Sequence, residues 1–165
     1  MAIESPYQNL FSGTWLRGNL HAHTTQSDGK RSRQAVIDDY SRRGYDFLMI
    51  SDHDVYTSPE DYAGLDAKGL VLIPGNEVSR LGEHLLHVNA NRLVDANPDR
   101  QIVLDDIACH GGFAVVNHPN WSKNDPEFAW AHVAQNKLVS RCNSASASAS
   151  VRTAGLPDAM AFTSA

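Results

Sequence analysis

Apolar residues in this chain come in short runs, and several of the runs close on side chains able to ligate metals. Trp15 to Leu20 reads as a strand leading into His21-Ala22-His23. Ser32 to Tyr40 carries apolar positions at helical spacing, and Gly44 is placed to stop that helix, since glycine accepts the left-handed conformation that commonly ends one. Tyr45 to Ile50 is a second strand, closing on Ser51-Asp52-His53-Asp54. The polar stretch Ser58 to Lys68 is partly helical, with Pro59 suited to a first turn. Leu70 to Ile73 is a third strand ending at Pro74-Gly75-Asn76-Glu77, and Leu85 to Ala90 a fourth that contains His87. Asp99 to Cys109 is helical and ends before Gly111-Gly112. Phe113 to Val116 is a fifth strand, closing on Asn117-His118-Pro119. Strands interleaved with helices predict an α/β fold whose sheet is mostly parallel.

The pattern then changes. Asp125 to Lys137 has the makings of one more helix, and Asn143 to Ser150 is a low-complexity Ser/Ala run. Such a run buries too little apolar surface to offset its ordering entropy. Residues 1–138 are therefore expected to form the domain and 139–165 a disordered tail.

Composition narrows the function classes. A formal charge of −5 and a pI near 5.8 argue against a general nucleic-acid binder, leaving a nucleotide as a substrate at most. Two cysteines make no disulfide framework, which fits a reducing compartment. With no signal-like N-terminus and no run of about 18 apolar residues, the expectation is a cytoplasmic protein that acts on a small molecule away from membranes.

Imidazole and carboxylate suit zinc, manganese and iron. Residues two apart on a strand share a face, so His21 and His23 can reach one cation together. Asp28 lies in the following turn, His53 ends the second strand, Glu77 follows the third, His87 lies on the fourth and His118 ends the fifth. Parallel α/β barrels gather the C-terminal ends of their strands at one mouth, so these residues are expected to converge. Other reactive side chains have plainer readings: His110 as a helix-end residue, Arg17 and Arg80 as solvated charges, Asp52 and Asp54 as groups that orient an imidazole or merely turn the chain.

The segments NLHAHTTQSDG, ISDHD, PGNEVS with HLLHVNA, and VVNHPN resemble, in order, the successive motifs of the PHP (polymerase and histidinol phosphatase) metal-dependent hydrolases. In detail they are most similar to the carbaryl-hydrolase-like (CehA/McbA-type) branch. The resemblance implies a distorted seven-stranded (β/α) barrel with two or three divalent ions, zinc, manganese or iron, at its mouth. On that analogy His21 and His23 hold the first metal, Glu77 bridges to the second, and His87 with His118 completes the second. Asp28 and His53 bind a third or assist, so Glu77, His53 and Asp28 are the catalytic candidates. His84 competes with His87 for one role; the HVNA setting favours His87 and leaves His84 dispensable. The implied activity is hydrolysis of a phosphate ester or nucleotide by metal-activated water, the alternatives being an ester or carbamate hydrolase or an inactive remnant. The last alternative arises because the resemblance implies a closing Asp-x-His, and after His118 the chain offers only Asp125, Asp158 and His132. A truncated or frameshifted barrel is the corresponding expectation.

Overall fold

The computed structural model describes residues 13–118. Within them, β1 (Gly18–Asn19), β2 (Phe47–Met49) and β3 (Val71–Ile73) form a parallel sheet in that order. The crossovers carry α1 (Arg33–Arg42) and α2 (Pro59–Ala63). Both helices begin where the sequence supplies a cap. The Ser32 hydroxyl accepts the Ala35 amide at 3.3 Å, and Ser58 and Asp61 form a reciprocal capping box with Pro59 in the first turn. Gly44 lies at φ +73° just beyond α1, as its role of helix stop requires.

Alternation along β2 divides its side chains between two layers. Leu48 and Ile50 pack with Val36, Ile37 and Tyr62 against the helices, whereas Met49 faces the opposite way, onto Leu86 and Val88. Tyr62 is fixed by its hydroxyl, which accepts the Ile50 amide (3.0 Å) and donates to the Ile73 carbonyl (3.1 Å).

Beyond β3 the expected architecture fails. The run from Leu70 to Glu77 is two strands, broken at Pro74, whose ring has no N–H to continue a ladder. The second half, β4 (Gly75–Val78), joins β5 (Leu85–Val88) and β6 (Phe113–Val116) in a separate antiparallel sheet, with α3 (Arg100–Cys109) between β5 and β6. Residues 79–84 connect β4 to β5. That is enough for a hairpin but too short for the crossover of a dozen or more residues that parallel neighbours need. The expected mostly parallel sheet is thus corrected to a mixed fold, and among the described residues the strands do not close a barrel. Parallel pairing of His53 with Glu77, and antiparallel pairing of Thr57 with Gly75, join the two sheets.

The inner face of the second sheet presents Leu86, Val88 and Val115 to Met49, Leu20 and Ile73. Its outer face sets Val78 and Leu85 against Val103 and Ile107 of α3. The Asp99 side chain accepts the Gln101 amide and starts α3, and His110 caps its end, with Nδ1 2.8 Å from the Asp106 carbonyl. The reading of His110 as a helix-end residue holds. Among the described residues no helix is long and apolar enough to cross a membrane. The expected tail, 139–165, lies outside the described residues.

Candidate metal centre

The site is built on Glu77. Its place on β4 opposite Leu86 turns its side chain to the inner face, where it is fully buried. Each carboxylate oxygen meets its own set of imidazoles. Oε2 lies 2.9 Å from His53 Nδ1, 3.2 Å from His23 Nε2 and 3.4 Å from His21 Nε2. Oε1 lies 3.1 Å from His84 Nδ1 and 3.5 Å from His118 Nε2, and accepts the Asn117 amide at 2.5 Å. The imidazoles close a ring around the carboxylate. Centroid separations run 5.0 Å from His21 to His23, 4.4 Å to His53, 5.2 Å to His84, 4.9 Å to His118 and 6.1 Å back to His21. The carboxylate forms the floor, and the partly exposed rings form a wall open to solvent.

Four chain segments bring these groups together, and buried polar contacts hold two of them. The Ser51 hydroxyl accepts the Ala22 amide, fixing the end of the His21-Ala22-His23 segment to the end of β2. Asp52, also fully buried, accepts the Thr24 amide (2.7 Å), the Thr24 hydroxyl (2.6 Å) and the Ser27 hydroxyl (2.6 Å). It therefore anchors the turn that presents Asp28. The mostly exposed Asp28 carboxylate reaches the outer nitrogens of two rings, His23 Nδ1 at 3.0 Å and His53 Nε2 at 3.6 Å.

Charge follows geometry. Burial pushes the Glu77 carboxyl up, but the His21 and His23 imidazoles and the Asn117 amide outweigh it and hold the group well below the usual carboxylate range. Glu77 raises the His23 imidazole above its ordinary value against opposing burial. His84 moves the other way, because burial outweighs its attraction to Glu77, and that favours the neutral ring a cation needs.

The donor set fits divalent metal. Among the described residues Glu77 Oε2 makes no hydrogen bond although three imidazole nitrogens lie within 3.4 Å of it, and buried His53 Nδ1 makes none either. Imidazole nitrogens and carboxylate oxygens that crowd one point, two of them without a hydrogen-bond partner, are a donor set that a shared cation would satisfy. The ligand atoms of His21, His23 and Glu77 all lie within 4.8 Å of one another, as do those of His23, Asp28 and His53, and those of His53, Glu77 and His84.

The structure brings together every residue expected from the sequence except His87. That ring lies opposite Asn76, on the face of β5 turned away from Glu77, and its Nε2 is 2.9 Å from the Gly111 carbonyl. His84, three residues earlier, sits on the inner side and takes the place His87 was expected to fill. Asn117 was missed, although it stands beside His118 in the same motif; its strand parity with Val115 was the available signal.

No protein-family model matches the chain, and no curated protein matches it either. Among solved structures it is similar to a two-domain protein from Bacteroides vulgatus described as containing a predicted PHP-like metal-dependent phosphoesterase. The TM-score is 0.52 and the identity 24%, over 68% of this chain and 37% of that one. This chain therefore spans little more than a third of that neighbour's length. The likeness supports the mixed α/β fold alone and does not bear on the CehA/McbA-type branch.

Proposed function

We propose that this chain carries the metal centre of a hydrolase that acts through metal-activated water, with a small phosphate ester as substrate. The observation that supports it is the buried Glu77 carboxylate, each of whose oxygens faces a separate group of imidazoles. In this reading His21 and His23 would hold one cation together with Glu77, and His84 and His118 would hold a second with the same carboxylate. His53 and Asp28 either bind a third or steady the first. Divalent ions bound there would supply a water acidified toward neutrality and positive charge to polarise a P=O bond.

The chain's own groups prepare that chemistry. Asp28 accepts the Nδ1–H of His23, which would leave the Nε2 lone pair of that ring for the cation. Asn117 donates to Oε1 and fixes the carboxylate plane. The phosphoesterase named in the structural neighbour favours a phosphate over a carboxylic ester or carbamate.

The test is metal analysis and turnover on purified, metal-reloaded protein. Two or more manganese or zinc ions per chain should be retained, with hydrolysis of p-nitrophenyl or bis-p-nitrophenyl phosphate. Turnover of naphthyl carbamate alone would move the substrate class, and metal uptake without any turnover would leave a binding centre only. Less than one ion per chain, unchanged by Glu77→Gln, would refute the reading.

A further inference from the structure

We propose that Asp54 and the buried Arg100 are positioning residues that clamp the β4–β5 loop so that His84 faces Glu77; this rests on the metal centre proposed above.

Asp54 directly follows His53 and adopts φ +51°, a left-handed conformation that aspartate tolerates better than most residues. Its amide donates to the Glu77 carbonyl at 2.7 Å. Its carboxylate then takes hold of the first two residues after β4. Oδ1 accepts the Ser79 amide (3.2 Å), while Oδ2 accepts the Ser79 hydroxyl (2.8 Å) and the Arg80 amide (3.2 Å) and pairs with Arg80 Nε at 3.4 Å.

Arg100 grips the loop at a second point. It is the first residue of α3 and fully buried, yet its guanidinium hydrogen bonds go to backbone carbonyls, Arg80 at 3.0 Å and Asn97 at 3.1 Å. Gly82 packs directly on it: a Cβ there would stand 2.8 Å from Arg100 Nε. Burial disfavours the Arg100 charge while the Glu83 and Asp54 carboxylates favour it, and its two carbonyl contacts tie the start of α3 to Arg80 of the loop. Between the two anchors the loop turns sharply, with Leu81 at φ +70°, and then delivers His84 to within 3.1 Å of Glu77. The carboxylates flanking His53 thus divide the labour. Asp52 holds the turn bearing Asp28, and Asp54 holds the loop bearing His84.

A mutant cycle in metal affinity tests this, read by competition titration of manganese or zinc into the full chain. Asp54→Asn should weaken binding by about 10- to 100-fold, the usual cost of losing a group that orients a ligand. Adding Asp54→Asn to His84→Ala should cost nothing further, whereas adding it to Asp28→Ala should cost its full factor. Ser79→Ala, which removes only one hydroxyl contact, repeats the cycle at smaller amplitude should Asp54→Asn fail to fold. Multiplying effects of Asp54→Asn and His84→Ala, or an unchanged titration in a folded Asp54→Asn protein, would overturn the clamp while leaving the metal centre standing. A wild-type chain that takes up no metal would overturn both.

Discussion

Replacing His84 and His87 separately by alanine should split metal binding from stability, because the two rings project to opposite sides of the second sheet. His87 is fully buried, and its Nε2 donates to the Gly111 carbonyl. Burial pushes its imidazole down, so it sits neutral inside the fold. Removing it leaves a cavity and loses that bond, at a cost of about 2–4 kcal/mol. Near the midpoint this lowers the melting temperature by roughly 5–15 °C for a chain of this size. The His84 side chain is 19% exposed and crowded by the His53 and His118 rings, so its loss should cost about 1 kcal/mol or less. Metal response inverts the order. A cation at about 100 times its Kd stabilises the wild type by about 2.7 kcal/mol. If losing His84 weakens binding about 100-fold, the same concentration only equals Kd, and the stabilisation falls to about 0.4 kcal/mol. His87→Ala should keep nearly the whole shift from its lower baseline. Differential scanning fluorimetry with EDTA and then with manganese or zinc reads both quantities. A His87→Ala protein that folds but loses its metal response, beside a His84→Ala protein that keeps it, would refute the assignment.

Three further outcomes follow from the same geometry. Glu77→Gln keeps the side chain's shape but removes the anion between the imidazole groups, so the metal-induced shift should fall by more than half in calorimetry; an undiminished shift would exclude the bridging role. Protons and cations compete for His23, whose pKa is raised chiefly by Glu77, so metal affinity should strengthen as pH climbs through that raised value. In the metal-free protein the same shift contributes stability that is complete below about pH 6.5 and lost as pH rises through the folded value, and a pH-independent titration would contradict both. The Tyr62 hydroxyl is pushed up to about 12 by burial, so the unfolded chain ionises first and stability should drop by about 2–3 kcal/mol between roughly pH 10 and 12. Tyr62→Phe should lack that alkaline loss yet be less stable at neutral pH by about 1–3 kcal/mol, since the Ile50 amide loses its acceptor. Denaturant melts at both pH values measure this, and an equal alkaline loss in the variant would refute it.

Local chemistry was legible because it acts over a few residues. Ser32, Ser58 and Asp99 mark helix starts by satisfying amides within their own first turns, and Gly44 and Pro74 mark breaks through the conformations they allow or forbid. His21 and His23 share a face by strand periodicity alone, and the types of His53, Glu77 and His118 already pointed to a metal.

Which face of β5 meets Glu77 was not legible. Both faces of that strand are buried, so Leu85, Leu86, His87 and Val88 carry no polar alternation to tell inside from outside. The hairpin register, with Glu77 opposite Leu86, puts His84 in the centre and His87 behind it. A shift of one residue would exchange them. The same long-range pairing turned the second sheet antiparallel and brought Asn117 onto a carboxylate forty positions earlier in the chain. The sequence by itself determined the helix caps, the breaks and the kind of chemistry. Tertiary structure decided which imidazoles gather around Glu77, because side-chain direction in a sheet depends on partners that lie far away along the chain.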